Sequence, residues 1–196
     1  MLEANARFNL TGARSQAEIV DHILDSLSLA PLVEAPYADV GSGGGFPLIP
    51  VAIVLGIPVT AIESNAKKAR FLESLFAPLG VSGTVVTDRA ERAAHRPELR
   101  ERFRSATCRA VGSVSTVAEL TLPLLALCGI AILQRGRVHA DERTVLEDAS
   151  LILGGRLERE QPVAGERRLL VLRKERPTPG RFPRNTGVPQ KRPLCG

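Results

Sequence analysis

A glycine-rich turn constrains this chain more than any other feature of its sequence. Residues 39–47 read Asp-Val-Gly-Ser-Gly-Gly-Gly-Phe-Pro, and they overlap the end of a short apolar segment, Tyr37 to Val40. A strand that reverses into a helix within so few residues needs backbone angles that glycine adopts freely, and it presents bare main chain to a ligand. The segment therefore predicts a strand, a nucleotide-cofactor turn and a helix that begins near Pro47.

The spacing of the glycines distinguishes between cofactors. A dinucleotide fingerprint places its third glycine three residues after the second, and here Phe46 stands at that position. The chain instead runs acid-x-Gly-x-Gly-x-Gly through Asp39, Gly41, Gly43 and Gly45, which suits S-adenosylmethionine. That cofactor carries an ammonium and a carboxylate in place of a pyrophosphate. Asp39 can hold the ammonium, directly or through water, while the exposed amides of the turn and the start of the next helix can hold the carboxylate.

A second acidic residue follows the next apolar segment. Glu63 comes directly after residues 58–62, at about the twenty-residue distance from which an acid accepts hydrogen bonds from a ribose diol. Two acids at the ends of two predicted strands favour a cofactor site. The alternative is a glycine-rich loop that merely turns the chain.

Short apolar segments alternate with helical periodicity along most of the chain. Strands are predicted at residues 37–40, 59–62, 84–87, 106–109 and 130–133. The clearest helix is capped by Asn65 and ends before Gly80. Residues 156–163 and 168–173 lack an intervening helix and predict an antiparallel pair. The order indicates an α/β fold with a doubly wound, mostly parallel, seven-stranded, Rossmann-like sheet that has an antiparallel strand at its C-terminal end.

The composition argues against several functional classes. The 196 residues suffice for one domain of ordinary size, and because only 4% are aromatic, base stacking would depend on few rings. The three cysteines and three histidines match neither a zinc signature nor a disulfide framework. The sequence shows no secretory signal or membrane span. We therefore expect a cytoplasmic protein without a metal.

Positive charge is concentrated near the C-terminus. Residues 173–192 contain seven basic residues and one acidic residue, a net charge of +6 that exceeds the +5 of the whole chain. Five prolines between 177 and 193 disfavour a helix, so the segment should lie extended and offer its cations to a polyanion. A solvated tail that only keeps the protein soluble is the alternative. Lys67 and Lys68, on the helix after Asn65, are open to the same two interpretations.

Several motifs together resemble one known family. They are Phe8-Asn9-Leu10-Thr11, His22-x-x-Asp25-Ser26-Leu27, the turn at residues 39–47, Glu63-Ser64-Asn65-x-Lys67-Lys68-x-Arg70-Phe71-Leu72, Arg89-Ala90-Glu91, Arg109-Ala110-Val111 and Gly187-Val188-Pro189-x-Lys191-Arg192-Pro193-Leu194. Because of the order and spacing of these motifs, the chain resembles the RsmG or GidB family of class I methyltransferases over nearly its whole length. That family methylates N7 of one guanosine in small-subunit ribosomal RNA. The resemblance implies S-adenosylmethionine as cofactor and 16S ribosomal RNA or the small ribosomal subunit as partner.

The resemblance also implies particular contacts. It places Gly41 and Phe46 in the cofactor turn, Ala90 and Glu91 beside the adenine, and Arg109 at the end of the fourth strand. A cation at the end of a buried strand is unfavourable unless it is paired or functional, so Arg109 is also a candidate on physical grounds. Guanine N7 attacks through a lone pair that carries no proton, so no catalytic general base is expected. Alignment of the reactants should dominate, with Arg109 as one candidate for it.

Two sets of candidate site residues result. The cofactor contacts are Asp39, Gly41, Gly43, Gly45, Phe46, Glu63, Ala90, Glu91 and Arg109. The RNA contacts are Lys67, Lys68, Arg135, Arg181, Arg184, Lys191 and Arg192. We expect a monomer with three parts, namely residues 1–14 as the remnant of an N-terminal helical segment, 15–175 as the methyltransferase domain and 176–196 as a basic, proline-rich tail.

The chain departs from the usual pattern of the family in several places. Glu63 stands where Asp is usual, and Arg135-Gly136 stands where Lys-Gly is usual. The family normally has a few dozen helical residues before the motif at Phe8, so an apolar face of the domain is expected to be exposed. Two other functions stay open from the sequence. The chain could be a methyltransferase of another substrate, or a non-catalytic RNA-binding or ribosome-assembly factor that retains the cofactor fold.

Overall fold

A seven-stranded sheet forms the centre of the computed structural model, which describes residues 12–109, 112–163 and 165–195. The strands are β1 (Tyr37–Val40), β2 (Val59–Ile62), β3 (Gly83–Val86), β4 (Phe103–Arg109), β5 (Leu125–Arg135), β6 (Gly155–Pro162) and β7 (Arg168–Lys174). Their order is β3-β2-β1-β4-β5-β7-β6, parallel from β3 to β5, with β7 antiparallel to both β5 and β6. The prediction of a doubly wound, mostly parallel sheet with an antiparallel C-terminal end is confirmed.

Helices connect most of the strands, as the alternating sequence patterns predict. They are α1 (Gln16–Leu27), α2 (Leu48–Leu55), α3 (Ala66–Phe76), α4 (Ala90–Ala93), α5 (Val114–Thr121), α6 (Ala140–Ile152) and α7 (Val188–Lys191). Ser15 caps α1, since its Oγ accepts a hydrogen bond from the backbone amide of Glu18 at 3.2 Å. The Asn65 side chain caps α3 by accepting from the amides of Lys67 and Lys68. Both caps satisfy amides that the start of a helix leaves free.

Apolar side chains cover both faces of the sheet. Alternate residues of β5 point to opposite faces, so Ala131 and Leu133 pack in the layer under α5 and α6, whereas Ile130 and Ile132 pack in the layer that includes α2 and α3. Burial on both faces explains why the central parallel strands are largely apolar in sequence.

The strand order reverses between β1 and β4, which lie side by side and parallel. In open α/β sheets, ligands bind in the crevice at the carboxyl ends of the strands beside such a reversal. The register pairs Asp39 with Thr107 across β1 and β4, and it pairs Arg109 with Gln134 across β4 and β5. The topology therefore gathers polar residues from four strands at one edge of the sheet, where Glu63 follows the end of β2.

The prediction of an extended C-terminal segment is wrong. This segment packs on the domain, and Val188–Lys191 form the short helix α7. Arg100 donates hydrogen bonds to the carbonyl oxygens of Thr178 at 2.8 Å and Phe182 at 2.9 Å. Proline is tolerated in the first turn of a helix, where Pro189 stands, and a proline-rich backbone keeps carbonyl groups that side chains can bind.

The predicted N-terminal remnant is only partly described. Phe8-Asn9-Leu10-Thr11 lies outside the described residues, as do Ala110 and Val111. An apolar groove of about 410 Å³ lies between α1, α2 and α3, and Ile53 and Leu79 on it are exposed. The division of the chain into three parts stays a prediction. In the part of the chain that the structure describes, no helix is long and apolar enough to cross a membrane.

Candidate active site

A cavity of about 660 Å³ opens at the carboxyl ends of the central strands. Its walls come from the glycine turn after β1, from Glu63 after β2, from residues 88–91 after β3 and from Arg109 at the end of β4. Helix α5 and the C-terminal residues Pro189 and Gln190 complete it. A cavity of this size is in the range of small-ligand sites, and it lies at the place where the strand order predicts one.

The glycine turn adopts the backbone conformation that its sequence requires. Gly41, Gly43 and Gly45 have φ angles of 73°, 51° and 91°, a region that favours glycine. Their amides are already used, because Gly41 donates to the carbonyl oxygen of Ile62 at 2.8 Å, Gly43 to Glu63 Oε2 at 2.9 Å and Gly45 to the carbonyl oxygen of Ser42 at 2.7 Å. These three amides are therefore not free to hold a ligand carboxylate, and the expectation that exposed amides of the turn hold it stays a prediction for the rest of the turn.

Asp39 is buried behind the turn, with 1% of its surface exposed. Its Oδ1 accepts a hydrogen bond from Thr107 Oγ1 at 2.6 Å, and the Tyr37 hydroxyl lies 2.6 Å from the same Thr107 oxygen. Its Oδ2 has no hydrogen-bond partner among the described residues. Burial raises the pKa of the Asp39 carboxyl to about 7, although its hydrogen bonds oppose the shift.

These features fit S-adenosylmethionine. A buried carboxylate oxygen without a partner is unfavourable, and a ligand cation that reaches it would relieve that cost. Glu63 is fixed beside the turn, because Oε1 accepts from the amide of Asn65 at 2.7 Å and Oε2 accepts from that of Gly43. Each carboxylate oxygen retains a lone pair with which it can accept from a hydroxyl group. The Asp39 carboxylate thus suits the ammonium group of this cofactor, and the Glu63 carboxylate suits its ribose hydroxyl groups.

The segment after β3 forms a second charged wall of the cavity. Glu91 is 3% exposed and accepts hydrogen bonds from Arg89 Nη2 at 2.9 Å and from the amide of Gly187 at 2.8 Å. Burial works against its charge, but these hydrogen bonds outweigh burial and lower the pKa of Glu91. Asp88 forms ion pairs with Arg92 and Arg96. Through its hydrogen bond with Gly187, Glu91 thus connects the cavity wall to the C-terminal segment.

The C-terminal segment covers one side of the cavity. Thr116 Oγ1 on α5 donates to the carbonyl oxygen of Pro189 at 2.9 Å. Arg184 forms a two-pronged ion pair with Glu119, which is fully buried in α5, at a closest distance of 2.7 Å. These contacts place Pro189 and Gln190 against the cavity.

A second cavity of about 730 Å³ adjoins the first and shares Gly12 and Arg109 with it. The Arg109 guanidinium carbon lies 5.7 Å from the centre of the Phe46 ring, and the His22 ring lies 5.6 Å from Phe46 on centroids. Burial lowers the pKa of Arg109, and no ion pair involves it within residues 12–109, 112–163 and 165–195. An unpaired arginine between two cavities is available to a ligand.

The predicted cofactor residues fall into two groups. The residues that line the first cavity are Gly41, Gly43, Phe46, Glu63, Ala90, Glu91 and Arg109. Asp39 lies beneath the turn, and Gly45 faces the apolar groove beside α2. Their contacts with a bound cofactor stay predictions.

The predicted RNA residues are more scattered. Lys68 lines the first cavity and Arg135 the second. Lys67, Arg181, Lys191 and Arg192 are exposed. Arg184 differs from the free cation that the sequence suggests, because its guanidinium is held by Glu119.

Sequence reasoning missed several residues at the two cavities. Asp88 and Arg89 follow the third strand after one intervening residue, and that position was a usable signal. Gln134 at the end of β5 gives no local signal, since its place beside Arg109 depends on strand order. Pro189 and Gln190 belong to a motif of the resemblance, but nothing in the sequence directs them to the cofactor cavity.

The fold and this site define a class I methyltransferase. A solved structure titled M. jannaschii TYW2 in complex with AdoMet has the same fold, with a TM-score of 0.57 at 17% identity over 81% of this chain and 75% of that one. Among named proteins, ribosomal RNA small subunit methyltransferase G of Rubrobacter xylanophilus is 42% identical over 211 residues, covering 100% of this chain and 81% of the relative. The protein of that name from Trichormus variabilis is 39% identical and covers 99% and 86%.

The match extends to the family level. Residues 1–171 match the family described as GidB, rRNA small subunit methyltransferase G. The chain therefore belongs to this family. It is an enzyme that uses S-adenosylmethionine.

Proposed function

We propose that the protein transfers a methyl group from S-adenosylmethionine to N7 of a guanosine in 16S ribosomal RNA. The observation that carries the proposal is the family match over residues 1–171. The geometry supports it with a cofactor-sized cavity beside a second cavity that could admit the acceptor. The partner is 16S ribosomal RNA or the small ribosomal subunit, and the enzyme acts as a monomer in the cytoplasm.

In this proposal the strand ends hold the cofactor by its charged groups. The Asp39 carboxylate attracts the ammonium, and Glu63 accepts from the ribose hydroxyls. Gly41 and Gly43 let the ligand approach the main chain, and Ala90 and Glu91 border the adenine. Bound S-adenosylmethionine supplies a sulfonium methyl group that becomes bonded to guanine N7 as its carbon–sulfur bond breaks, and no proton is lost.

The protein contributes alignment rather than acid–base chemistry. Because guanine N7 reacts through an unprotonated lone pair, the site needs no general base. Proximity and orientation can supply roughly 7 to 11 kcal/mol of a barrier. Arg109 stands at the junction of the two cavities, where it can position the acceptor and exclude water. We assign it a positioning role.

Incubation with methyl-labelled S-adenosylmethionine tests the proposal. The purified protein should label deproteinised 16S ribosomal RNA, and not small acceptors or bulk protein. Labelling of a small acceptor alone would identify a methyltransferase of another substrate. Cofactor binding without transfer to any acceptor would identify a non-catalytic RNA-binding or assembly factor.

Exposed cations near the C-terminus are proposed to bind RNA phosphates. We expect that replacing Arg181, Lys191 and Arg192 by Gln lowers RNA affinity and leaves cofactor binding unchanged. Loss of three phosphate contacts should flatten the slope of log affinity against log salt by about 2 on single-stranded RNA. Filter binding at several salt concentrations measures both quantities.

The control removes positive charge at the amino ends of the strands, opposite the carboxyl ends where the cavities open. Arg102 and Arg104 lie at the start of β4, away from both cavities, and are exposed. Their replacement by Gln should leave the salt slope almost unchanged. An unaltered slope in the Arg181, Lys191 and Arg192 variant would remove this segment from the RNA site.

A further inference from the structure

A short stretch near the C-terminus forms one wall of the first cavity. Pro189 and Gln190 of helix α7 line this cavity together with Ala90, Thr116 and Leu120. Pro189 is buried, whereas Gln190 is exposed. In a fold of this kind the loops after the parallel strands form the ligand site, so this wall is an addition to them. It also lies beyond residue 171, where the match to the family ends.

Buried polar side chains hold this stretch against the cavity. Glu91 Oε1 accepts a hydrogen bond from the amide of Gly187 at 2.8 Å, and Thr116 Oγ1 donates one to the carbonyl oxygen of Pro189 at 2.9 Å. Glu91 is 3% exposed and Thr116 is 1% exposed. Burial of a polar group is unfavourable unless the group is hydrogen-bonded, and these two groups use the C-terminal backbone for that purpose. A tail that only kept the protein soluble would need neither contact.

The Glu91 carboxylate is fully engaged by the protein itself. Its Oε1 accepts from Arg89 Nη2 as well as from the amide of Gly187, and its Oε2 accepts from Arg89 Nε at 3.2 Å. Glu91 therefore shapes the wall and does not offer a free charge to a ligand. Ala90 and Pro189 supply apolar surface on this side of the cavity, and the Gln190 amide supplies a neutral donor and acceptor. An apolar surface with a few polar groups suits a purine ring.

We propose that residues 187–190 form the adenine side of the cofactor site, and that Thr116 is the residue that positions them. This inference rests on the proposed function, in which Asp39 takes the ammonium and Glu63 takes the ribose hydroxyls. The adenine is the group of the cofactor that remains for the rest of the cavity. Pro189 packs against the ring, and the Gln190 amide pairs with its polar edge, which both donates and accepts hydrogen bonds.

Ligand binding to the full-length protein in the absence of RNA tests this assignment. S-adenosylhomocysteine and 5′-methylthioadenosine are titrated by calorimetry, and the second ligand keeps the adenosine but lacks the amino acid group. Thr116→Val should lower the affinity for both ligands by the same factor, about tenfold, which corresponds to one hydrogen bond. Asp39→Asn should lower the affinity for S-adenosylhomocysteine alone, because only that ligand carries the ammonium. The pair of ligands thus separates the two ends of the cofactor site.

Thr121→Val is the matched control. Thr121 is also buried on α5, but its hydroxyl donates to the carbonyl oxygen of Val117 in the same helix at 2.8 Å. This control should lose a similar amount of stability and keep both affinities. Thr116→Ser retains the hydroxyl and should restore binding.

Gln190→Ala is an independent variant. The Thr116 hydroxyl also lies 2.9 Å from Ser113 Oγ, so Thr116→Val removes two contacts, whereas Gln190→Ala alters neither of them. Gln190→Ala should weaken the binding of both ligands severalfold and leave urea unfolding unchanged. If Thr116→Val does not fold, Gln190→Ala decides the question alone.

Two results would overturn the inference. One is a folded Thr116→Val protein that binds both ligands like the wild type, or that loses affinity for S-adenosylhomocysteine alone. The other is a Gln190→Ala protein that binds 5′-methylthioadenosine as tightly as the wild type. Failure of the wild type to methylate any ribosomal RNA would instead count against the proposed function, because the binding of both ligands is measured without turnover.

Discussion

Replacing Asp39 by Asn should stabilise the fold and weaken cofactor binding at the same time. Burial raises the pKa of Asp39 to about 7 from its ordinary value of 3.8, so ionisation of this group opposes folding above pH 4. Between pH 4 and pH 7 the folded state binds more protons than the unfolded state at this site, and stability falls as the pH rises. About three pKa units correspond to about 4 kcal/mol, and the full penalty is present above pH 7.

Asp39→Asn should therefore exceed the wild type in free energy of unfolding by several kcal/mol at pH 8, with the difference vanishing near pH 4. Its affinity for S-adenosylmethionine should fall roughly tenfold to hundredfold, because a charge-assisted contact is lost. Wild-type affinity should increase as the pH rises through 7, and that of the variant should not. Urea unfolding and calorimetric titration measure these changes.

Asp148→Asn is the matched control for this pair of effects, since Asp148 is exposed on α6 and far from the turn. It should change neither stability nor binding appreciably. Two results would contradict the role given to Asp39. One is a variant that binds the cofactor like the wild type, and the other is a variant that is less stable than the wild type at pH 8.

Replacing Arg184 by Ala should destabilise the protein strongly. Glu119 is fully buried and accepts from the Arg184 backbone amide at 2.8 Å as well as from its guanidinium at 2.7 Å. Removal of the guanidinium leaves a buried carboxylate without its cation, which typically costs about 3 to 5 kcal/mol. We expect a value near the lower end because Arg184 is 25% exposed. Urea unfolding measures it.

Two further variants test whether the loss of stability comes from the buried ion pair and not from the removal of any cation in this segment. Arg192→Ala removes an exposed cation of the same segment and should change stability by less than about 0.5 kcal/mol. The double variant Glu119→Gln with Arg184→Gln has no buried charge and should recover much of the lost stability. If Arg184→Ala is as stable as the wild type, the ion pair does not hold the C-terminal segment.

The sequence alone predicted much of the fold. Tyr37–Val40 and Val59–Ile62 were predicted at both ends, because each is a short apolar segment bounded by turn residues or charge. β5 is longer than its predicted four residues and runs from Leu125 to Arg135. Cys128, with a φ of 64°, and Gly129 interrupt its local pattern, although the strand continues through them.

The site was predictable only where it is local in sequence. The glycine turn and Glu63 could be predicted, because residues that are adjacent in sequence determine a strand-to-helix turn and the acid that follows the next strand. Gln134 and Arg135 reach the site through the strand order, and Arg184 finds its partner Glu119 65 residues away. Charge and proline content describe the C-terminal segment but not its buried partners, so its packing against the cofactor cavity could not be inferred.

A map of 7-methylguanosine in 16S ribosomal RNA is the most direct test of the enzymatic assignment. RNA from cells that lack the protein is incubated with the purified protein and S-adenosylmethionine, digested and analysed by mass spectrometry. We expect one guanosine to gain a methyl group at N7, and we expect the same guanosine to be already modified in RNA from cells that contain the protein. A methyl group on another atom or base, or no transfer to RNA by a protein that binds the cofactor, would contradict it.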